Sequence, residues 1–237
     1  MRLSQDQMRR IAQYVRDYLM KTSQRHGHTH AKFRAENRWR HTLNVQKNIR
    51  TLANMEGITA DEQQICDVAA LFHDIDHYTI ELAYHGIRGA ETAEKFLLSE
   101  GYPASFVKEV SDAVRHHHFV LDDDLPIREQ MQQHIEGTSR VAQLLMDAET
   151  LDKIGASNIL QSVLTMGRND WQLGRAAREL LSGFPLERAR LWYQTLVTEA
   201  GRKVGVQRVS FYEQMLAQIE SEIVIDEPYP APVEHPV

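Results

Sequence analysis

A single all-helical bundle is the expected fold, on three observations. Between residues 4 and 224 there is no sustained period-2 alternation of β-branched residues, the signal of a strand. Apolar residues recur instead at spacings of three and four. No Ser/Gly-rich linker and no internal repeat divides the chain.

Ser4 caps a first helix running to about Thr22, with Met8, Ile11, Val15, Tyr18 and Leu19 on one stripe. Residues 23–32 carry Gly27 and the spaced histidines His26, His28 and His30. They read as a solvated loop bordering the site entrance, with no carboxylate nearby to complete a metal set. A second helix starts near Asn37 and ends at Gly57, and a third opens at Thr59 or Asp61 and runs to His73–Asp74. Residues 86–100 form a fourth, closed by Gly101 and followed by Pro103. The fifth spans 105–118 and is ended by the acidic turn Asp122-Asp123-Asp124-Leu125-Pro126. Further helices are expected at about 137–153, 156–167, 170–182 and 186–223, the last interrupted near Gly201 or Gly205. Trp171, Phe184 and Trp192 read as core packing of this later region. Four prolines, at 228, 230, 232 and 236, predict a disordered tail. The expected organisation is an N-terminal helix and loop (1–34), a metal-binding core (35–155), a helical extension of the same domain (156–225) and the tail (226–237).

The chain of 237 residues can bury a full core without covalent staples. Its net charge of −6 argues against sequence-independent nucleic-acid binding, so a phosphorylated ligand must be met by local positive charge or by a metal. The single cysteine, Cys66, has apolar neighbours and reads as a small core residue. The opening Met1–Gln5 lacks the apolar run of a signal peptide, and no apolar segment approaches a bilayer span. A cytoplasmic protein without membrane contact is the expectation.

Chemistry is signalled by the placement of the twelve histidines. His41 shares a helix face with Val45, Ile49 and Leu52. His73 follows Ile65 and Ala69 by eight and four, and His117 follows Phe106, Val110 and Ala113 by eleven, seven and four. One such histidine is usually a hydrogen-bonded core residue. Three on three helices, one of them beside Asp74, point to a shared partner, and a metal ion is an efficient one. The segment Ala70-Leu71-Phe72-His73-Asp74-Ile75-Asp76 ends an apolar turn in a histidine and a carboxylate, where side chains can converge beside the helix end.

The order His41, then His73-Asp74, then a carboxylate on a later helix resembles the HD superfamily of metal-dependent phosphohydrolases. Arg38-Trp39-Arg40-His41-Thr42 resembles the family's opening helix, and His85-Gly86-Ile87-Arg88-Gly89-Ala90-Glu91 the start of its next one. Ala113-Val114-Arg115-His116-His117-His118-Phe119 resembles the histidine-bearing helix end that follows. Thr198-Glu199-Ala200-Gly201-Arg202-Lys203-Val204 with Arg208 is similar to the closing helices of small bacterial members. The resemblance covers roughly residues 35–223.

At the fourth ligand, family members often read Asp-Ala-Asp-Arg-Leu-Asp, whereas this chain reads Asp147-Ala148-Glu149-Thr150-Leu151-Asp152. Ungapped alignment puts Glu149 at the ligand position, on the face of Leu145 and Val141. Asp147, projecting about 160° away, is the alternative, and Asp152 a third choice.

The resemblance implies a phosphohydrolase acting on a small phosphorylated metabolite, a nucleotide above all, through metal-activated water. Its metal would be held by His41, His73, Asp74 and Glu149 (alternatively Asp147). Such mixed N/O ligands suit Mn, Fe, Co, Ni or Zn, and Mg less well, with one or two ions per chain. Asp74 would also orient water, Arg38 would reach a phosphate, and His77, His85 and His117 would hold phosphate or protonate a leaving oxygen. Arg88 reads equally as a solvated face, and His116 and His118 flank the site. Two alternatives stand: a dinuclear-iron oxygenase using His85 and His117, or a nucleotide-binding module without catalysis. The long helix near 186–223 could pair with a second copy in a homodimer or pack internally.

Overall fold

The computed structural model describes residues 2–25, 31–79, 84–119 and 124–225. The expectations for His26, His28, His30, Asp122, Asp123 and the tail from residue 226 lie outside the described residues. Within them the chain is all-helical, with no strand. In order the elements are α1 (Gln5–Arg25), α2 (Ala31–Met55), α3 (Ala60–Phe72), α4 (His85–Ser99), α5 (Ala104–His116), α6 (Ile127–Ile135), α7 (Arg140–Lys153), α8 (Ala156–Arg168), α9 (Leu173–Leu181), α10 (Phe184–Gln194) and α11 (Glu199–Glu222).

The centre of the bundle is α3, buried on every side from Ile65 to Phe72. Thr59 and Glu62 start it with a reciprocal capping box, each side chain bonded to the other's backbone N–H. A helix without a polar face is stable only when enclosed, and α1, α2, α5 and α7 pack around it. The one acidic group inside this run, Asp67, accepts from Arg50 Nε at 2.6 Å. Cys66 is buried there as expected, and burial pushes its thiol up to about 12, which keeps it protonated and inert. Helices α4 and α5 form an antiparallel pair; a Cβ at Gly86 would lie 3.1 Å from the carbonyl oxygen of Arg115, so a bare backbone allows this close approach.

Several boundaries differ from expectation. The second helix begins at Ala31, six residues before Asn37, and α6 occupies a stretch for which the sequence predicted no helix. The long helix expected over 186–223 is two, α10 and α11, separated by a turn at 195–198. Neither Gly201 nor Gly205 interrupts α11. Both are buried contact points, where a Cβ would collide with Asp147 and with Leu196 respectively. Helix α11 packs internally on α7, α9 and α10. Of the aromatic residues expected in the core, Trp192 packs against it, whereas Phe184 is 58% exposed because it begins α10 at the surface. No helix among the described residues is long and apolar enough to cross a membrane.

Candidate metal centre

Helix α3 stops at Phe72, and residues 73–79 continue as tight turns: Ile75, His77 and Thr79 donate backbone N–H bonds to the carbonyls of Phe72, Asp74 and Asp76. Asp76 locks this corner by accepting from the hydroxyls of Tyr18 (2.8 Å), Thr79 (2.7 Å) and Thr92 (2.5 Å). His73 and Asp74 therefore leave the helix end together, both buried, and face α2 and α5.

One device aims two of the imidazoles. His73 caps α3 and His117 caps α5, and each folds back to donate Nδ1–H to the carbonyl three residues earlier, Ala70 at 2.8 Å and Val114 at 2.6 Å. A helix end leaves such carbonyls without intrahelical partners, so the bond satisfies the backbone and commits the proton to Nδ1. His41 lies inside α2, where no carbonyl is free. It donates Nδ1–H to Asp152 Oδ2 at 2.7 Å across the α2–α7 contact. In all three residues Nε2 is left as a lone pair facing inward.

These atoms form two triangles sharing one carboxylate. Around Asp74 Oδ2 lie His41 Nε2 and His73 Nε2, each at 3.3 Å, with 3.2 Å between the two nitrogens. Around Asp74 Oδ1 lies His85 Nε2 at 3.2 Å, with His117 Nε2 3.1 Å beyond it. Two imidazole nitrogens facing each other at 3.2 Å repel unless a proton or a metal cation sits between them. Bonds of about 2.1 Å at right angles place neighbouring ligand atoms roughly 3 Å apart. The first triangle therefore fits a divalent metal, and its two imidazoles and one carboxylate suit Mn, Fe, Co, Ni or Zn.

The surrounding charges keep the ligands competent. Burial alone would raise Asp74, but Arg38 and the imidazoles of His73 and His41 hold it well below the usual carboxylate range. Arg38 Nη1 lies 2.5 Å from Asp74 Oδ2, and its Nη2 donates to His77 Nε2 at 2.8 Å. Each terminal nitrogen thus makes one contact inside the site, and Arg38 also lines the cleft above it. Burial lowers His117 to about 3, which keeps it neutral. It also lowers His77, whose buried Nδ1 stands 3.7 Å from Asp74 Oδ1 without a hydrogen-bond partner.

The three carboxylates of α7 have three different places. Asp147 faces away: it accepts from the backbone N–H groups of Val197 (2.9 Å) and Thr198 (2.8 Å) and from the Thr198 hydroxyl (2.6 Å), fastening the start of α11. The alternative assignment of Asp147 as fourth ligand is therefore corrected; it is a helix anchor. Asp152 orients His41. Glu149 lines the cleft together with Asp152 but stands beside the second triangle, its Oε2 3.9 Å from His117 Nε2 and its Oε1 2.9 Å from Lys153 Nζ.

A cleft of about 450 Å³ opens over His41 and is lined by the cations Arg34, Lys153 and Arg168. Asn158, Gln161 and Thr165 of α8 join Arg168 at helical spacing on one polar stripe along its wall. Sequence reading missed this wall, although the 3–4–3 spacing of those four residues was its legible trace. Of the flanking groups, Arg88 is exposed and paired with Glu91 at 2.6 Å, and His116 bonds the Asp112 carbonyl. The His118 ring stacks edge-on 4.5 Å from His85.

A helical bundle enclosing paired His/Asp triangles is the architecture of a metal-binding hydrolase domain. The HD-domain family model matches residues 38–154, which include His41, His73, Asp74, His85, His117 and Glu149. The chain thus carries an HD domain, and members of that superfamily are typically metal-dependent hydrolases. Among solved structures it is similar to a predicted HD superfamily hydrolase from an uncultured Thermotogales bacterium. The two are 26% identical over 90% of this chain and 91% of that one, with a TM-score of 0.56. The fold is shared with Bacillus subtilis YpgQ in complex with ADP, at 20% identity, 91% and 96% coverage and a TM-score of 0.55. It is shared too with the Lin1889 protein of Listeria innocua, at 16% identity, 90% and 95% coverage and a TM-score of 0.53. No curated protein matches the chain in sequence.

Proposed function

We propose that this chain is a metal-dependent phosphohydrolase acting on a small phosphorylated metabolite, a nucleotide in the first instance. The observation that carries the reading is the pair of opposed imidazole nitrogens, His41 Nε2 and His73 Nε2, closed by the Asp74 carboxylate beside a cation-lined cleft that His41 helps to line. A divalent cation held by His41, His73 and Asp74, with Glu149 as fourth ligand, would polarise a phosphoryl oxygen and activate water. Arg38 keeps Asp74 ionised and oriented. Arg34, Lys153 and Arg168 offer charge to phosphate, and the amides of Asn158 and Gln161 offer hydrogen bonds to the rest of the substrate. His77, His85 and His117 remain the candidates for proton transfer. The complex of Bacillus subtilis YpgQ, a protein of the same fold, with ADP supports the nucleotide class. The test is turnover of nucleotides and generic phosphate esters by metal-reconstituted protein, beside a His73→Ala variant. The variant is expected to lose metal and activity while keeping its helical content; retention of both would overturn the assignment.

The second triangle favours a second reading, a dinuclear-iron oxygenase. Asp74 presents Oδ1 to His85 and His117 as it presents Oδ2 to His41 and His73, so each group could hold its own cation with Asp74 common to both. Metal analysis separates the two: near two irons per chain with a visible absorption band favours the oxygenase, and a single Mn²⁺ or Zn²⁺ the hydrolase. Tight nucleotide binding that survives chelation, without product, would instead mark a binding module.

A further inference from the structure

Glu149 and Lys153 stand one turn apart at the end of α7, and their pairing is out of step with a simple ligand role. Glu149 is buried and lines the cleft, yet it belongs to neither of the His/Asp triangles among the described residues. Its Oε1 is instead taken by Lys153 Nζ at 2.9 Å. Burial would raise this carboxyl, and Lys153 is the main charge that overcomes burial and keeps it ionised. Lys153 has a second support, since its Nζ lies 4.4 Å from the centroid of the Trp192 ring, and 28% of its side chain is open to the cleft.

We propose that Lys153 is a positioning residue that holds Glu149 back from the cation and exchanges this carboxylate for the phosphate of the substrate. In the free protein the buried carboxylate and the half-buried ammonium neutralise each other. With substrate present, Lys153 pairs with phosphate and Glu149 with the cation, so every charge keeps a partner in both states. The Trp192 face holds the ammonium near the cleft in either arrangement. Cation and phosphate then bind with positive and reciprocal coupling, because each releases the partner that the other needs. The proposal rests on the metal centre described above, but not on turnover.

The experiment is a Mn²⁺ titration of the full chain, with far-UV circular dichroism as the check on folding. Lys153→Met is expected to bind Mn²⁺ about tenfold more tightly than the unmodified protein, and Lys153→Arg to stay within about twofold of it. Glu149→Gln should bind more weakly, and the double variant no more tightly than Glu149→Gln alone, since the lysine acts through the glutamate. At fixed free Mn²⁺, inorganic phosphate should raise occupancy of the unmodified protein and leave Lys153→Met unchanged. Equal or weaker binding by Lys153→Met, or the same gain in the Glu149→Gln background, overturns the proposal alone. An unmodified protein that takes up no Mn²⁺ overturns the metal centre and this proposal with it.

Discussion

At the residue scale, function depends on which nitrogen of each imidazole carries the proton. Asp152 settles this for His41, so Asp152→Asn should weaken metal binding by about 10- to 100-fold, read by competition with a chromophoric chelator. A loss of the same size in Asp147→Asn would show that the two aspartates had been assigned the wrong way round. His41, His73 and Asp74 were legible from sequence because two lie on apolar helix stripes and the third sits at the helix end. The roles of Asp147, Glu149 and Asp152 were not. All three are buried on one short helix, and what separates them is their partners: α11 for Asp147, Lys153 for Glu149 and α2 for Asp152. Helical period carries no information about those neighbours. Arg38 is a similar case, since its spacing from His41 puts it one turn away but could not show that its guanidinium contacts Asp74 and His77.

At the scale of elements, the strongest constraint is the docking of α11 on α7. A Cβ at Gly201 would stand 2.1 Å from Asp147 Oδ2, so Gly201→Ala must displace the carboxylate that anchors the helix start. A destabilisation of about 1–3 kcal/mol is expected in chemical denaturation. A stability unchanged within error would mean that the anchor is loose. Most of the longer helices were readable because their apolar residues recur at helical spacing. The short α6, with Met131 its only buried residue, has too little periodicity to stand out. The turn between α10 and α11 escaped notice because Thr195–Thr198 carries no glycine or proline; Thr198 nevertheless caps α11 by accepting from the Gly201 N–H at 2.9 Å.

At the scale of the molecule, distant parts of the chain are joined by a few polar staples. Glu56 accepts from the Ala200 N–H at 2.9 Å and from Arg140 at 3.1 Å, tying the end of α2 to the starts of α7 and α11. The Ala200 N–H and Arg140 together lower this carboxyl from its ordinary 4.5. A depressed carboxyl stabilises the fold above its unfolded value, and this contribution disappears as pH falls through the folded one. The unmodified protein should thus lose stability more steeply below about pH 4.5 than Glu56→Gln does, as urea midpoints at successive pH values will show. Parallel curves would remove Glu56 from the account. Metal removal should act on the whole bundle too. At an ion concentration about a hundred times its Kd the centre contributes roughly 2.7 kcal/mol, so EDTA should lower the Tm by about 5–10 °C. An unmoved Tm would leave the triangles without a cation to hold.

The two triangles gather donors from positions 41, 73, 74, 85 and 117, and His41 is aimed by a residue as late as 152. During synthesis, none of these side chains can form the centre before the helices that carry them have been made and have closed around α3. Ion capture is therefore a late event in the birth of the protein, and a nascent or misassembled chain offers scavenged metals no finished nest.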